Sequence, residues 1–115
     1  MVLKLLVLRS PDPARLAQFY ASLELTFEYH RHDNGPMHYS AQLNGIVLEI
    51  YPLAKGQTAP DPHLRLGLEV KQFEQVMDNL KEQGVKILKV PQETEFGWLS
   101  VVEDPDGRKV ELYKV

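Results

Sequence analysis

The hydrophobic pattern of this chain passes through the same succession of periods twice. Leu3 to Arg9 is a short apolar run, which reads as a buried strand, and Ser10-Pro11-Asp12-Pro13 ends it. Asp12 suits an N-cap, and Pro13 suits the first helical position, where its missing N–H is not needed. Leu16, Phe19, Tyr20 and Leu23 fall at i, i+3, i+4 and i+7, the stripe of an amphipathic helix. Three strand-like runs follow, about Thr26 to His32, Met37 to Leu43 and Ile46 to Tyr51. They are separated by Asp33-Asn34-Gly35-Pro36 and Asn44-Gly45, and an Asn-Gly pair between such runs is the strongest short hairpin signal.

Lys55 to Pro62 is polar and holds Gly56, Pro60 and Pro62, so it reads as a linker. The order then repeats. Leu64 to Val70 is a strand. Gln72 to Gln83 is a helix with Phe73, Val76, Met77 and Leu80 on one face and Gly84 as its stop. Val85 to Val90 is a strand, and Pro91 to Gly97 a loop. Trp98 to Glu103 and Arg108 to Lys114 form a hairpin across Asp104-Pro105-Asp106-Gly107, where Pro105 fixes φ and Gly107 supplies a positive φ. Each half is βαβββ, so the chain reads as α+β, with modules at about residues 1–54 and 63–115.

Register assigns faces. A two-residue Asn44-Gly45 turn pairs Leu43 with Ile46, hence Ser40 with Glu49 and His38 with Tyr51. A four-residue turn at Asp104 to Gly107 pairs Glu103 with Arg108, placing Ser100 opposite Glu111 and Trp98 opposite Tyr113. Both halves then put Ser, Glu and Tyr on one face. Tyr39, Ala41, Leu43, Leu48 and Ile50, with Leu99, Val101, Val110 and Leu112, make the apolar face that the helices cover.

Composition narrows the function classes. At 115 residues, 43% hydrophobic and 25% charged, the chain fits one ordinary globular domain. A net charge of −3 with interspersed signs gives no nucleic-acid face and no polybasic membrane patch. No run approaches the roughly 20 apolar residues of a membrane span. The N-terminal run is broken by Lys4 and reads as a strand, not a signal peptide. With no cysteine, disulfides and thiolate chemistry are excluded, and the composition suits the cytoplasm.

The chain resembles the vicinal oxygen chelate superfamily, the glyoxalase, bleomycin-resistance and extradiol-dioxygenase group. The resemblance is carried by Leu8-Arg9-Ser10-Pro11-Asp12 into Phe19-Tyr20, by Glu49, and by Arg65 to Val70 leading into Phe73, Val76, Leu80 and Gly84. Its most specific piece is Asp104-Pro105-Asp106-Gly107-Arg108-Lys109-Val110-Glu111-Leu112. It implies modules curling into a curved, partly open barrel-like sheet with helices outside, in a homodimer, around a cup for a small molecule. In the family's enzymes a divalent metal is held there by four residues, and carried over by position these are Leu5, Glu49, Arg65 and Glu111. Leu5 has no donor atom, and Arg65 is a cation that cannot ligate. Glu24 stands where the family usually ends its first helix with glycine.

The resulting expectation is a small-molecule binder with no metal or other cofactor. Glu49, Arg65, Glu111, His38, Ser40, Tyr51, Trp98, Ser100 and Tyr113 line its cup, with Arg65 standing in for the metal's charge between the two carboxylates. The alternative is a divalent-metal lyase or dioxygenase of the glyoxalase type. It would use Glu49 and Glu111 as catalytic candidates and, with His63, as metal ligands. A third reading is an interaction module whose cup is filled by side chains. His30 and His32, beside an exposed turn, read as solvated. Neither a nucleophile–base pair nor a phosphate loop is present.

Overall fold

The computed structural model describes all 115 residues. The elements are β1 (Leu5–Ser10), α1 (Pro13–Ala21), β2 (Phe27–His30), β3 (His38–Leu43), β4 (Ile46–Pro52), β5 (Leu66–Val70), α2 (Phe73–Glu82), β6 (Ile87–Thr94), β7 (Gly97–Glu103) and β8 (Lys109–Lys114). The strands form two four-stranded sheets, ordered β1-β4-β3-β2 and β5-β8-β7-β6, with no closed barrel. In both, the first and last strands of a βαβββ module run parallel and the remaining pairs antiparallel. The α+β class and the twofold repetition are as the sequence predicts. The chain divides into two compact units, one of Met1–Ala21 and Leu25–Pro60, the other of Ser22–Glu24 and Asp61–Val115.

In the first unit α1 starts where expected: the Arg15 N–H donates to Asp12 Oδ1 at 3.2 Å. A helix this short depends on packing more than on propensity. It buries Leu16, Ala17, Phe19 and Tyr20, and the sheet beneath contributes Leu8, Ala41, Leu48 and Ile50 to the core. Each such side chain contributes about 1.5–3 kcal/mol when fully buried. Asn44 and Gly45, both at positive φ, close the β3–β4 turn with Leu43 opposite Ile46. Ser40 therefore opposes Glu49, as predicted. On β1, Val7 and Arg9 pair with Glu49 and Tyr51 and share that second face.

The second unit repeats the plan. Phe73, Val76, Met77 and Leu80 of α2 are buried, as are Val70, Val102, Val110 and Leu112. At the helix end, the Gly84 N–H donates to the Lys81 carbonyl and the Val85 N–H to the Leu80 carbonyl, both at 3.0 Å. The start of α2 has no side-chain cap from Gln72. Instead the Glu24 carboxylate accepts the Lys71 N–H at 2.8 Å and the Gln72 N–H at 2.7 Å.

Two sequence expectations are corrected here. The first concerns Pro91 to Gly97, where β6 continues through Thr94 in place of a loop. Its pairing with β7 shifts register between Ile87 and Lys89 and again between Lys89 and Gln92. A proline lacks a ladder donor, and an edge strand with bulges accommodates one. The second concerns the β7–β8 turn, which runs Asp104 to Arg108, with Glu103 opposite Lys109 and not opposite Arg108. Asp104 organises it: Oδ1 accepts the N–H groups of Asp106 at 2.9 Å and Arg108 at 3.0 Å. Arg108 folds into the turn, 1% exposed, with Nη1 3.3 Å from Asp104 Oδ2 and 3.1 Å from Asp106 Oδ2.

One added turn residue inverts the faces of β7 relative to β8. Leu99 opposes Tyr113, Val101 opposes Glu111, and Ser100 opposes Leu112. Leu99 and Val101 therefore share the face of Glu111, and Ser100 lies on the face of Val110 and Leu112. By alternation Trp98 lies there too.

Candidate functional site

The residues expected to bind a ligand fall into two groups, one in each unit. In the first unit, antiparallel pairing sets His30 opposite His38. On the same face Ser40 and Glu49 oppose each other. His38 is 1% exposed, although it stands at the first residue of a strand. Its ring stacks on Tyr51, with centroids 4.2 Å apart and planes 10° apart. The Arg9 guanidinium carbon lies 4.7 Å from the centre of the Tyr51 ring. His38 Nδ1 is 3.2 Å from the Pro36 carbonyl oxygen, and Nε2 is 3.1 Å from Glu49 Oε2.

His32 is exposed, as expected, and His30 half-buried, yet both join this group. The His30 ring lies 4.7 Å from that of His38, and the His32 ring 5.0 Å from it. Nε2 of His32 is 3.9 Å from Glu49 Oε2. The signal was in the sequence: three histidines in nine positions, with His30 and His32 two apart. What the sequence did not give was the reach of the 31–37 connection that returns His38 opposite His30.

In the second unit Glu111 is the hub. The Arg65 Nε–H donates to its Oε2 and the Tyr113 hydroxyl to its Oε1, each at 2.5 Å. These bonds, the phenol's foremost, hold the Glu111 carboxyl below its ordinary range against the opposing effect of burial. The same bond to Glu111 pushes the Tyr113 phenol above its usual value. Arg65 thus pairs with Glu111 of its own unit, one of the two carboxylates it was expected to bridge, and Glu49 engages the histidines of its own module.

A cavity of about 260 Å³ opens over the Glu111 face. Arg65, Lys89, Glu95 and Glu111 supply charge, Gln92 and Thr94 neutral hydrogen-bonding groups, and Phe96, Leu99 and Val101 apolar surface. Lys89, Gln92, Thr94, Glu95 and Phe96 were missed at the sequence level because Pro91 to Gly97 reads as a loop. Leu99 and Val101 were assigned to the wrong face by the shorter turn.

The remaining expected site residues are placed as follows. Ser40 and Tyr51 are half-buried on the Glu49 face. Ser100 is fully buried, its hydroxyl donating to the Lys89 carbonyl at 2.7 Å, so it ties β7 to β6. Trp98 is 40% exposed and does not line the cavity. His63 is exposed in a turn where its N–H donates to Asp61 Oδ1 at 2.9 Å. The four positions that carry the family's metal do not suit one. Leu5 is aliphatic and half-exposed, and the Arg65 guanidinium is bonded to Glu111.

Two successive βαβββ modules, each with a carboxylate on the sheet face away from its helix, define the class of protein. The sequence matches the Glyoxalase/Bleomycin resistance protein/Dioxygenase superfamily over residues 2–112, and the chain belongs to that superfamily. No curated protein matches it. Among solved structures, hypothetical protein SA1046 from S. aureus has a TM-score of 0.75 at 16% identity, covering 100% of this chain and 97% of that one. TnmS3, an antibiotic binding protein from Streptomyces sp. CB03234, has a TM-score of 0.74 at 20% identity, covering 99% and 95%. Oxidase ChaP-H2 has a TM-score of 0.71 at 16% identity, covering 97% and 91%. At these identities the likeness establishes the fold alone.

Proposed function

We propose that this protein binds a small organic molecule against the second sheet and acts by holding it, without a metal at Arg65 or Glu111, the second unit's two positions among the family's four. The observation that carries the reading is the cavity's lining. Cations, carboxylates, an amide and a hydroxyl sit beside Phe96, Leu99 and Val101, the mixture that holds a compact, partly apolar ligand and fixes its orientation. Arg65 and Tyr113 keep Glu111 ionised and aimed, so the polar end is preorganised. The fold shared with an antibiotic binding protein supports sequestration as the mode of action. The cysteine-free composition suits the cytoplasm, and a homodimer accords with the frequency of two-fold assemblies.

The test is a thermal-shift screen against aromatic antibiotics of differing charge. A ligand at about a hundred times its dissociation constant stabilises the fold by about 2.7 kcal/mol. At least one compound should raise the melting temperature, and Phe96→Ala and Lys89→Ala should each reduce the rise. If no compound shifts the transition, or both variants respond as the parent does, the binding reading is wrong.

A further inference from the structure

We propose that His30, His32, His38 and Glu49 form a site for one divalent transition-metal ion of the Zn(II), Ni(II) or Co(II) class. This inference does not rest on the cavity over Glu111. Of the four positions that the family uses for its metal, it shares Glu49 alone.

The donor set comes first. The four side chains each offer one ligand atom, and all four atoms lie within 4.8 Å of one another. An ion with bonds of about 2.0–2.1 Å to nitrogen and oxygen keeps its ligand atoms about 3.3 Å apart in a tetrahedron. Small side-chain rotations close that gap. His32, whose side chain is 70% exposed beside the turn, has room to make the largest of them. Three imidazoles with one carboxylate select borderline transition metals. Calcium and magnesium need more oxygen ligands than Glu49 supplies.

The second observation is independent of the clustering. The Pro36 carbonyl can only accept, so the His38 ring presents an N–H there through Nδ1. In the neutral ring that leaves Nε2 with a lone pair. Nε2 is fully buried and makes no hydrogen bond, although Glu49 Oε2 is 3.1 Å away. Two acceptors facing each other repel, and the buried His38 Nε2 lacks a partner whose provision is worth about 1–3 kcal/mol. A shared cation satisfies both at once. A carbonyl on the far ring nitrogen is also the usual support of a metal-bound histidine, because it fixes tautomer and ring orientation. Stacking on Tyr51 holds the His38 ring further.

The experiment uses the full chain stripped by a chelator, then titrated calorimetrically with Zn(II) or Ni(II), and with Co(II) followed by visible absorption. One ion per chain should bind saturably, and Co(II) should show the d–d bands of nitrogen and oxygen coordination. His38→Ala risks misfolding, so the deciding variants are His30→Ala and His32→Ala, whose side chains reach solvent. Each should weaken binding at least about tenfold with the circular dichroism of the fold unchanged. His63→Ala, the remaining histidine, should leave affinity as it is. Absence of saturable binding, binding indifferent to His30→Ala and His32→Ala, or binding lost in His63→Ala would overturn the site. None of these results bears on the antibiotic screen.

Discussion

Glu24 caps a helix that begins far along the chain from it: its Oε2 accepts the Gln72 N–H at 2.7 Å, with the Lys71 N–H on the other oxygen. To do so Glu24 adopts φ 74°, the left-handed region that side chains avoid. Where the family favours glycine, this chain accepts backbone strain of about 1 kcal/mol and offsets it with two bonds to a helix start that Gln72 leaves uncapped. Glu24→Ala keeps the strain and loses the cap, so urea denaturation should show a loss of about 1–3 kcal/mol. Glu24→Gly loses the cap but relieves the strain, and should fall between parent and Glu24→Ala. The reverse order would refute the capping account.

Asp104 and Arg108 make a second test. Both are almost completely buried, and the Asp104 carboxylate also holds two backbone N–H groups of the turn. Removing one partner of a buried pair leaves the other charge stranded, a loss of about 3–5 kcal/mol. Asp104→Ala should therefore lower the denaturation midpoint sharply, and Asp106→Ala, which removes one contact of Arg108, should lower it less.

Ser100 is predicted to matter for stability and not for ligand contact. Its hydroxyl donates to the Lys89 carbonyl, within the stretch where β6 slips register. Ser100→Ala should cost about 0.5–1.5 kcal/mol in equilibrium unfolding, the range for one intramolecular hydrogen bond.

The Tyr113–Glu111 bond gives a pH dependence with two limits. Glu111 titrates below its ordinary 4.5 in the folded chain, so its contribution to stability is full above that value and is lost as pH falls through the lowered one. Tyr113 titrates above its ordinary 10.0, so its contribution is full below 10.0 and disappears as pH rises through the raised value. The stability difference between parent and Tyr113→Phe should be level between those limits and shrink beyond both. Glu111→Gln should bring the Tyr113 phenolate absorbance back to lower pH. An unmoved phenol titration would mean that the bond does not persist in solution.

The elements that the sequence announced were those whose signals are local. Asp12-Pro13 starts α1, Asn44-Gly45 sets the first hairpin, and the stripes of both helices mark the core. Pairing depends on more distant facts. The turn after β7 takes in Arg108 because the Asp104 and Asp106 carboxylates draw the guanidinium inside, an interaction that no spacing rule shows. That single residue moved Ser100 away from Glu111 and brought Leu99 and Val101 to it. Pro91 likewise reads as a break until the strand is known to be at an edge. Among the candidate residues, Arg65 with Glu111 and His38 with Glu49 were legible through module equivalence and register. His30 and His32 were not, since they depend on how residues 31–37 turn.

Pro91 has a further effect, on what the sheet can join. β6 is an outermost strand, where free N–H and C=O groups would template an incoming chain. Proline presents no N–H there, and the two register slips break the straight row of acceptors that another strand would need. Growth of the second sheet by edge-to-edge pairing at β6 is thereby discouraged.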